Sequence, residues 1–326
     1  MSIKVRELGD KYMEKTSVKT NTFYNIIKSC SSLLFPLITL PYISRVLLAD
    51  NVGKINFGNS IVNYFSLAAS LGVTTYAVRE CARVSNDKNK LGTVASQIIS
   101  INVCTTIISY AALFITLLLA SPLEEYRLLI VIQSTAILFT TLGADWLNTA
   151  MEDFKYITIR TVFFQLVALT LMFIFVKKPE DYLIYAAITV LSTSGGNIVN
   201  IFYRKKYCKT YFTMHMSLKR HLPPIFQLFA MLLSQQVFVN SDTTILGLVK
   251  GDYQVGLYST SVKIYNIVNT LVSSITWVVM PKLSSGFAKG DYKNINRVLR
   301  FALGFIATLG FPLVIGINIM ASDIIR

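Results

Sequence analysis

Long apolar blocks dominate this 326-residue sequence and restrict what it can fold into. A helix that crosses the hydrocarbon core of a bilayer needs about 20 mostly apolar residues. These blocks are too long and too continuously apolar for the short alternating strands of membrane β-barrels. They predict an all-α integral membrane protein with nine spans: Thr22–Leu48, Ile55–Val78, Leu91–Leu119, Tyr126–Ala150, Tyr156–Val176, Tyr182–Tyr203, Leu222–Val249, Gln254–Met280 and Val298–Met320.

The composition supports lipid rather than a protein core as the cover for this apolar surface. Hydrophobic residues make up 53% of the chain and charged residues 15%, against about 25% charged in soluble domains. The first 20 residues are polar and lack the short apolar stretch of a cleavable signal peptide. We therefore expect the first span to act as the insertion signal.

The distribution of positive charge predicts the orientation. A net charge of +14 is also typical of nucleic-acid binding. Counted by alternating segments from the N-terminal tail onward, with Arg160 assigned to the fourth–fifth connection, the lysines and arginines number 22 in one set of segments and 6 in the other. This asymmetry follows the positive-inside rule, in which cytoplasmic loops are enriched in Lys and Arg. The sequence predicts a cytoplasmic N-terminus and no nucleic-acid partner.

The most basic connection divides the chain. Residues 1–20 form a predicted cytoplasmic tail, 21–204 a six-helix bundle, 205–221 a basic cytoplasmic linker and 222–326 a partial second bundle. In the linker, Tyr211, Phe212 and Met214 precede Lys219 and Arg220, a pattern typical of an amphipathic segment on an anionic leaflet. The histidines at positions 215 and 221 are interpreted as solvated interfacial residues.

The segment after this linker repeats the segment before it. An offset of 203 pairs Val52-Gly53 with Val255-Gly256, Asn63 with Asn266 and Ser60 with Lys263. The first copy has six spans, an even number, so both copies begin on the same side of the membrane. The repeats are therefore parallel and related by a pseudo-twofold axis along the membrane normal. A second copy of three spans is incomplete, so we expect a C-terminally truncated chain that lacks roughly three or more spans.

Polar side chains recur at helical spacing within several spans, and they predict the binding site. Ser, Thr and Asn can join helices by hydrogen bonds, whereas charges near the bilayer centre usually face a water-filled cavity or each other. Hydroxyls and amides suit sugars, and lysine suits phosphate. The predicted cavity lies between the two halves, and its candidate residues are Asn25, Lys28, Asn56, Asn63, Asp145, Gln235, Asp242, Lys263 and Asn266.

No group of residues in the sequence indicates catalysis. Glu124-Glu125 and Glu152-Asp153 are adjacent pairs whose members point in different directions, and we interpret them as solvated loop charge. No Gly-rich nucleotide-binding loop and no metal-ligand spacing is present. We expect a transporter without a cofactor, a metal or a catalytic residue.

Several runs of residues resemble bacterial O-antigen flippases of the Wzx type, and the resemblance extends over essentially the whole chain. The runs are Phe35–Leu47, Val52–Phe57, Leu71-Gly72, Arg79-Glu80, Asp145-Trp146, Tyr156–Arg160 and Phe175–Tyr182. The resemblance implies the exporter fold of two pseudo-symmetric six-helix bundles around a central cavity. It also implies a location in the bacterial inner membrane.

The implied activity is translocation of undecaprenyl-diphosphate-linked oligosaccharide from the cytoplasmic to the periplasmic leaflet by alternating access. In this hypothesis Lys28 and Lys263 attract the diphosphate. The asparagines at positions 25, 56, 63 and 266 contact the sugar. Membrane lipids and other polysaccharide-assembly membrane proteins are the further expected partners.

A drug antiporter of the same fold, with Asp145 as its coupling carboxylate, is the alternative. A membrane enzyme would need clustered carboxylates or a large hydrophilic loop, and the loops here do not exceed about 20 residues.

Overall fold

A computed structural model describes the backbone of residues 18–325. Residues 1–17, most of the predicted tail, lie outside the described set. So do the side chains at positions 18–19, 271–274, 276–278, 281, 288–289, 309, 317 and 320–325. The described chain folds into ten α-helices joined by short turns. They are α1 (Val18–Ser70), α2 (Val73–Arg83), α3 (Lys88–Leu119), α4 (Arg127–Gly143), α5 (Trp146–Ala150), α6 (Phe154–Phe175), α7 (Tyr182–Tyr203), α8 (Leu218–Lys250), α9 (Asp252–Lys289) and α10 (Tyr292–Ile325).

Six helical segments of the described chain are long and apolar enough to cross a membrane. They are Thr20–Arg83, Lys88–Leu119, Phe154–Phe175, Pro179–Lys206, Leu218–Lys250 and Tyr292–Gly316. The first has 64 residues, about 96 Å of helix, which is enough for two crossings of a core about 30 Å thick. The protein is therefore a multi-pass membrane protein, while the count of nine spans stays a prediction.

The long helix α1 is kinked at Leu48, between the first two predicted spans. Leu48 has φ 62° and ψ 171°, far from helical values. Gly251, at the offset of 203, has φ 85° and ψ −178° and separates α8 from α9. The two sequence repeats thus share the same sharp backbone turn at equivalent positions.

The start of the next helix is also shared. Asp87 Oδ1 accepts hydrogen bonds from the backbone N–H groups of Asn89 and Lys90 and so caps α3. Asp291 Oδ1 accepts from the N–H of Asn294 at the start of α10. A carboxylate at this position satisfies N–H groups that lack a partner within the helix. Asp87 and Asp291, one residue beyond the repeat offset of 203, therefore have the same structural role in both copies.

Two predicted spans are interrupted rather than continuous. Leu71 (φ 44°) and Gly72 (φ 75°) separate α1 from α2, and α8 packs so closely that a Cβ on Gly72 would lie 3.1 Å from Cβ of Leu228. Ala144 (φ 48°) ends α4, leaving α5 as a short separate helix. In the second copy, the positions equivalent to Leu71 and Gly72 lie within a single helix, α9.

Contacts divide the chain into two units, residues 1–255 and 256–326. In the first unit, α4 packs on α7 and α1 packs on α3, α4, α6 and α8. Its core includes Ile43, Leu47, Leu129 and Met172. In the second unit, Ile275 and Val279 of α9 pack with Ala302 of α10. The predicted domain boundary within 205–221 stays a prediction, because α8 packs on α1 within the first unit.

Candidate functional site

A row of polar contacts joins the second segment of α1 to α8. Thr244 donates a hydrogen bond to Oγ of Ser60 at 2.9 Å, and Asn63 donates to Oδ1 of Asn240 at 3.4 Å. The hydroxyls of Tyr64 and Ser241 are 3.4 Å apart. We call these six residues the polar seam. Ser60 lies 12 residues beyond the kink, about 18 Å along the helix, so the seam is well inside the apolar segment.

Close helix approach makes this seam possible. Gly247 of α8 faces the Phe57 ring, and an added Cβ would overlap Cδ2 and Cε2 of that ring. The glycine lets α8 come near enough for short side chains to hydrogen-bond across the interface, as small residues do in membrane helix pairs. Phe57 itself is 1% exposed. The seam therefore rests on a packed glycine–aromatic contact one turn away.

Apart from Asp145, the predicted site residues of the first unit lie on α1 and α8, the two helices of the seam. Asn63 is a member, and Asp242 follows Ser241 on α8 with an exposed side chain. Asn56 is half-buried and donates to the Val52 carbonyl of its own helix. Asn25 and Gln235 are exposed, and Lys28 is half-buried on the first segment of α1.

Lys263 and Asn266 lie in the second unit, on α9. The Lys263 side chain is half-buried and Asn266 is exposed; the Asn266 carbonyl accepts from Thr270 at 2.7 Å. Ser273 and Trp277 lie at helical spacing beyond Asn266 on the same helix, and their side chains are outside the described set. The inclusion of Lys263 and Asn266 in one cavity with the α1 residues stays a prediction.

Asp145 belongs to a different group of residues, at the α4–α5 break. Its Oδ1 accepts from Nη2 of Arg160 at 2.7 Å and from Nδ2 of Asn148 at 2.7 Å. Asn148 also donates to Asn200, which in turn donates to the carbonyl of Gly143. An Arg–carboxylate hydrogen bond of this length holds the carboxylate in place and compensates its charge.

The charge count assigns Arg160 to the connection between the fourth and fifth predicted spans, but the structure places it within a helix. It lies inside α6 and is 9% exposed. Gly196 of α7 makes room for it, because a Cβ there would sit 2.8 Å from Nε of Arg160. An arginine within an otherwise apolar run could have indicated a buried pair. Moving it out of the count leaves the charge asymmetry nearly unchanged.

Tyrosines extend this group toward the ends of α6 and α7. The Tyr156 and Tyr203 rings stack with centroids 3.5 Å apart. Tyr203 and Tyr207 both donate to Oδ2 of Asp153, at 2.7 and 2.8 Å. Burial raises the pKa of Asp153, but the two phenol donors and the N–H of Tyr156 outweigh burial and hold that pKa below its usual value. Asp153 is therefore a structural anion, not the solvated loop charge that the sequence predicted.

His221 is likewise not the solvated residue that was predicted. It is 0% exposed, with Nδ1 2.7 Å from the Tyr76 hydroxyl and Nε2 3.0 Å from Oε1 of Gln97. The neighbouring Arg220 pairs with Glu80 at 3.2 Å. The histidine therefore fastens the start of α8 to α2 and α3, a role that sequence spacing did not indicate.

Comparison with known proteins places the chain in a family. Residues 18–287 match the family described as "Polysaccharide biosynthesis protein". The chain belongs to this family. The matched range contains α1 through most of α9, including the Phe35–Leu47 run on which the resemblance to O-antigen flippases was based, and that resemblance is confirmed.

Two relatives in this comparison share one name, which differs from the family description. A protein of Escherichia coli (strain K12) named "Putative O-antigen transporter" is 22% identical over 317 residues, covering 94% of this chain and 76% of the relative. A Shigella dysenteriae protein of the same name is 24% identical over 275 residues, covering 82% of this chain and 67% of the relative. No solved structure matches the chain.

Proposed function

We propose that this protein is a flippase that moves undecaprenyl-diphosphate-linked O-antigen oligosaccharide from the cytoplasmic to the periplasmic leaflet by alternating access. The observation that carries the proposal is the family match over residues 18–287, together with two relatives named as O-antigen transporters. A substrate of this kind needs a hydrophilic route for its sugars while its lipid tail stays in the bilayer.

The polar seam is consistent with such a route. Its members are uncharged hydroxyls and amides, which exchange hydrogen bonds with sugars without a large desolvation cost. The exposed amides of Asn25 and Asn63 lie on α1, whose other exposed side chains include Phe23 and Leu34. An amide facing lipid tails would be costly, so these positions favour a water-filled cavity over lipid.

The proposal assigns roles to the predicted site residues. Lys28 and Lys263 attract the diphosphate, and Asn25, Asn56, Asn63, Gln235 and Asn266 contact sugar. Asp242 lies beside the seam and orients the neighbouring amides or hydroxyls. Asp145 serves structure instead, because Arg160 already compensates its charge at 2.7 Å. This pairing also makes the drug-antiporter alternative less favourable, since a coupling carboxylate must be available to a proton or cation.

We also propose that the chain lies in the bacterial inner membrane with its N-terminus in the cytoplasm and nine spans. The 22-to-6 charge asymmetry supports this orientation. Reporter fusions after Lys178 and after Lys209 test it. Alkaline phosphatase should be active at the first position and a cytoplasmic fluorescent reporter at the second, and the opposite pattern would contradict the topology.

The function is tested by complementation of a strain that lacks its O-antigen flippase, using the full-length gene. Wild type should restore surface O-antigen on lipopolysaccharide gels, and failure at normal expression would refute the flippase. Lys263→Ala should reduce the restored O-antigen, and Lys263→Arg should retain more of it because the cation is kept. Lys282→Ala, an exposed lysine on the same helix, is the matched control. Equal O-antigen in Lys263→Ala and the control would remove Lys263 from the site.

A further inference from the structure

The connection between α7 and α8 is an extended strap fastened to α3, not a helix. Residues 207–217 form this α7–α8 strap. The N–H groups of Tyr211 and Thr213 donate to the hydroxyls of Ser96 and Ser100, at 3.1 and 2.9 Å. Nε2 of Gln97, on the same helix, donates to the His215 carbonyl at 3.1 Å. Alternate residues of the strap, at 211, 213 and 215, thus form hydrogen bonds with side chains at 96, 100 and 97 of α3.

Fastening through the backbone leaves several apolar side chains of the strap facing outward. Tyr211 is 57% exposed, Phe212 56% and Met214 79%. Gly92 lies beneath the strap, where a Cβ would come within 2.9 Å of the Lys209 carbonyl, so the strap lies close against α3. The outward side chains are therefore displayed from a fixed backbone.

The strap region also has an excess of cations. No Asp or Glu occurs between Asp181 and Asp242, whereas six Lys and Arg residues lie at 204–220. Three of the six already have a hydrogen-bond or ion-pair partner: Lys206 with Asp153, Arg220 with Glu80 and Arg204 with the Leu142 carbonyl. The other three, at 205, 209 and 219, are exposed, and no ion pair links them to a carboxylate in the described part of the chain.

We propose that the α7–α8 strap, with Lys205, Lys209 and Lys219, is a binding surface for anionic phospholipid headgroups. The strap connects the end of one apolar helix, at Tyr203, to the start of another, at Leu218, which places it at the level of a membrane surface. Aromatic and methionine side chains enter the boundary between headgroups and acyl chains, and lysines beside them attract negatively charged headgroups. The surface is separate from the polar seam, so the proposal does not depend on which substrate is transported.

Lipid selectivity of the purified chain tests the charge of this surface. Native mass spectrometry with phosphatidylglycerol should give tighter binding than with phosphatidylcholine. The variant K205Q/K209Q/K219Q should weaken phosphatidylglycerol binding about tenfold or more and leave phosphatidylcholine binding unchanged. The control K177Q/K178Q/K250Q removes three exposed lysines elsewhere and should behave as wild type. Equal loss in both variants, or none in the first, would overturn the proposal.

Depth is tested with a fluorescent probe on the strap. Phe212→Trp in a background without the two native tryptophans, at 146 and 277, should be quenched by lipids brominated near the top of their acyl chains. Quenching should increase when those lipids carry an anionic headgroup. An unquenched probe in a folded variant would mean that the strap faces water or protein, and the proposal would then be wrong.

Discussion

Tyr126 donates a hydrogen bond to Oδ1 of Asp252 across 2.7 Å and so ties the start of α4 to the α8–α9 turn. Its neighbour Glu125 forms an ion pair with Lys54, just after the kink of α1. The Phe57 ring packs edge-on against Tyr126, with centroids 4.8 Å apart. Adjacent residues of one loop thus hold the equivalent turns of both sequence repeats. A mechanism that moves α8 away from α4 must break the Tyr126–Asp252 bond.

Removal of this hydrogen bond should lower the melting temperature of the detergent-solubilised protein. Tyr126→Phe keeps the ring contact with Phe57 but leaves the half-buried Asp252 carboxylate without its phenol donor, at a cost of about 1–3 kcal/mol. Thermal unfolding followed by tryptophan fluorescence measures the shift. Tyr253→Phe, an exposed tyrosine beside Asp252, is the control and should melt as wild type. Equal melting temperatures for Tyr126→Phe and wild type would contradict the role of the bond.

The same site should make stability depend on pH. Burial raises the pKa of Asp252, although Tyr126 and Lys54 act in the opposite direction. A carboxyl whose pKa is higher in the folded than in the unfolded state favours folding when protonated, and that contribution is lost as pH rises through the folded pKa. Asp252→Asn should therefore be more stable than wild type near pH 7, with a difference that shrinks as pH falls toward about 4. A difference that is constant with pH would refute this linkage.

The two equivalent turns allow a paired test of backbone strain. Leu48 occupies a conformation that glycine adopts readily and other residues adopt at a cost of about 1–3 kcal/mol. Leu48→Gly should raise the melting temperature, because its side chain is 54% exposed and contributes little packing. Gly251→Ala should lower it, since no atom lies within 4 Å of an added Cβ and only backbone strain is introduced. A destabilised Leu48→Gly protein would mean that the side chain outweighs the strain.

Breaking the Asp145–Arg160 pair should destabilise the first unit more than removing both charges. Arg160→Met leaves the carboxylate with Asn148 but without its charged partner, and it should cost about 3 kcal/mol, the low end for a buried pair because the Asp145 side chain is 32% exposed. Asp145→Asn leaves the buried Arg160 guanidinium without its carboxylate partner. The double variant should be more stable than the sum of the single effects predicts, as measured by a thermal or denaturant double-mutant cycle. Additive effects would show that the two side chains act independently.

The contact beneath the polar seam should be sensitive to one methyl group. Gly247→Ala forces the added Cβ into the Phe57 ring and should cost about 1–3 kcal/mol through overpacking. In a Phe57→Leu background, the same alanine should cost much less because the ring is gone. Gly304→Ala, where an added Cβ meets no atom within 4 Å, is the helical control and should be neutral or slightly stabilising. An equal cost in both backgrounds would place the strain elsewhere.

Much of this organisation could be predicted from the sequence because it depends on local chemistry. Apolar length predicts helices that match the bilayer, and the six described segments long enough to cross a membrane overlap seven of the nine predicted blocks. The repeat offset predicts equivalent turns, and the positive φ values of Leu48 and Gly251 agree with it. The Phe35–Leu47 run predicted the family. These features require only the composition and order of nearby residues.

Only the tertiary structure decided which polar residues act together. The sequence placed Asp145 with the cavity and Arg160 in a loop, but Gly143 and Gly196 let α4, α6 and α7 approach so closely that the two charges pair. His221 is buried because α2 and α3 supply its two partners. A solvated and a buried polar side chain have the same local sequence signature. The difference between them is set by which helices pack around the residue, through contacts more than 100 positions apart in the chain.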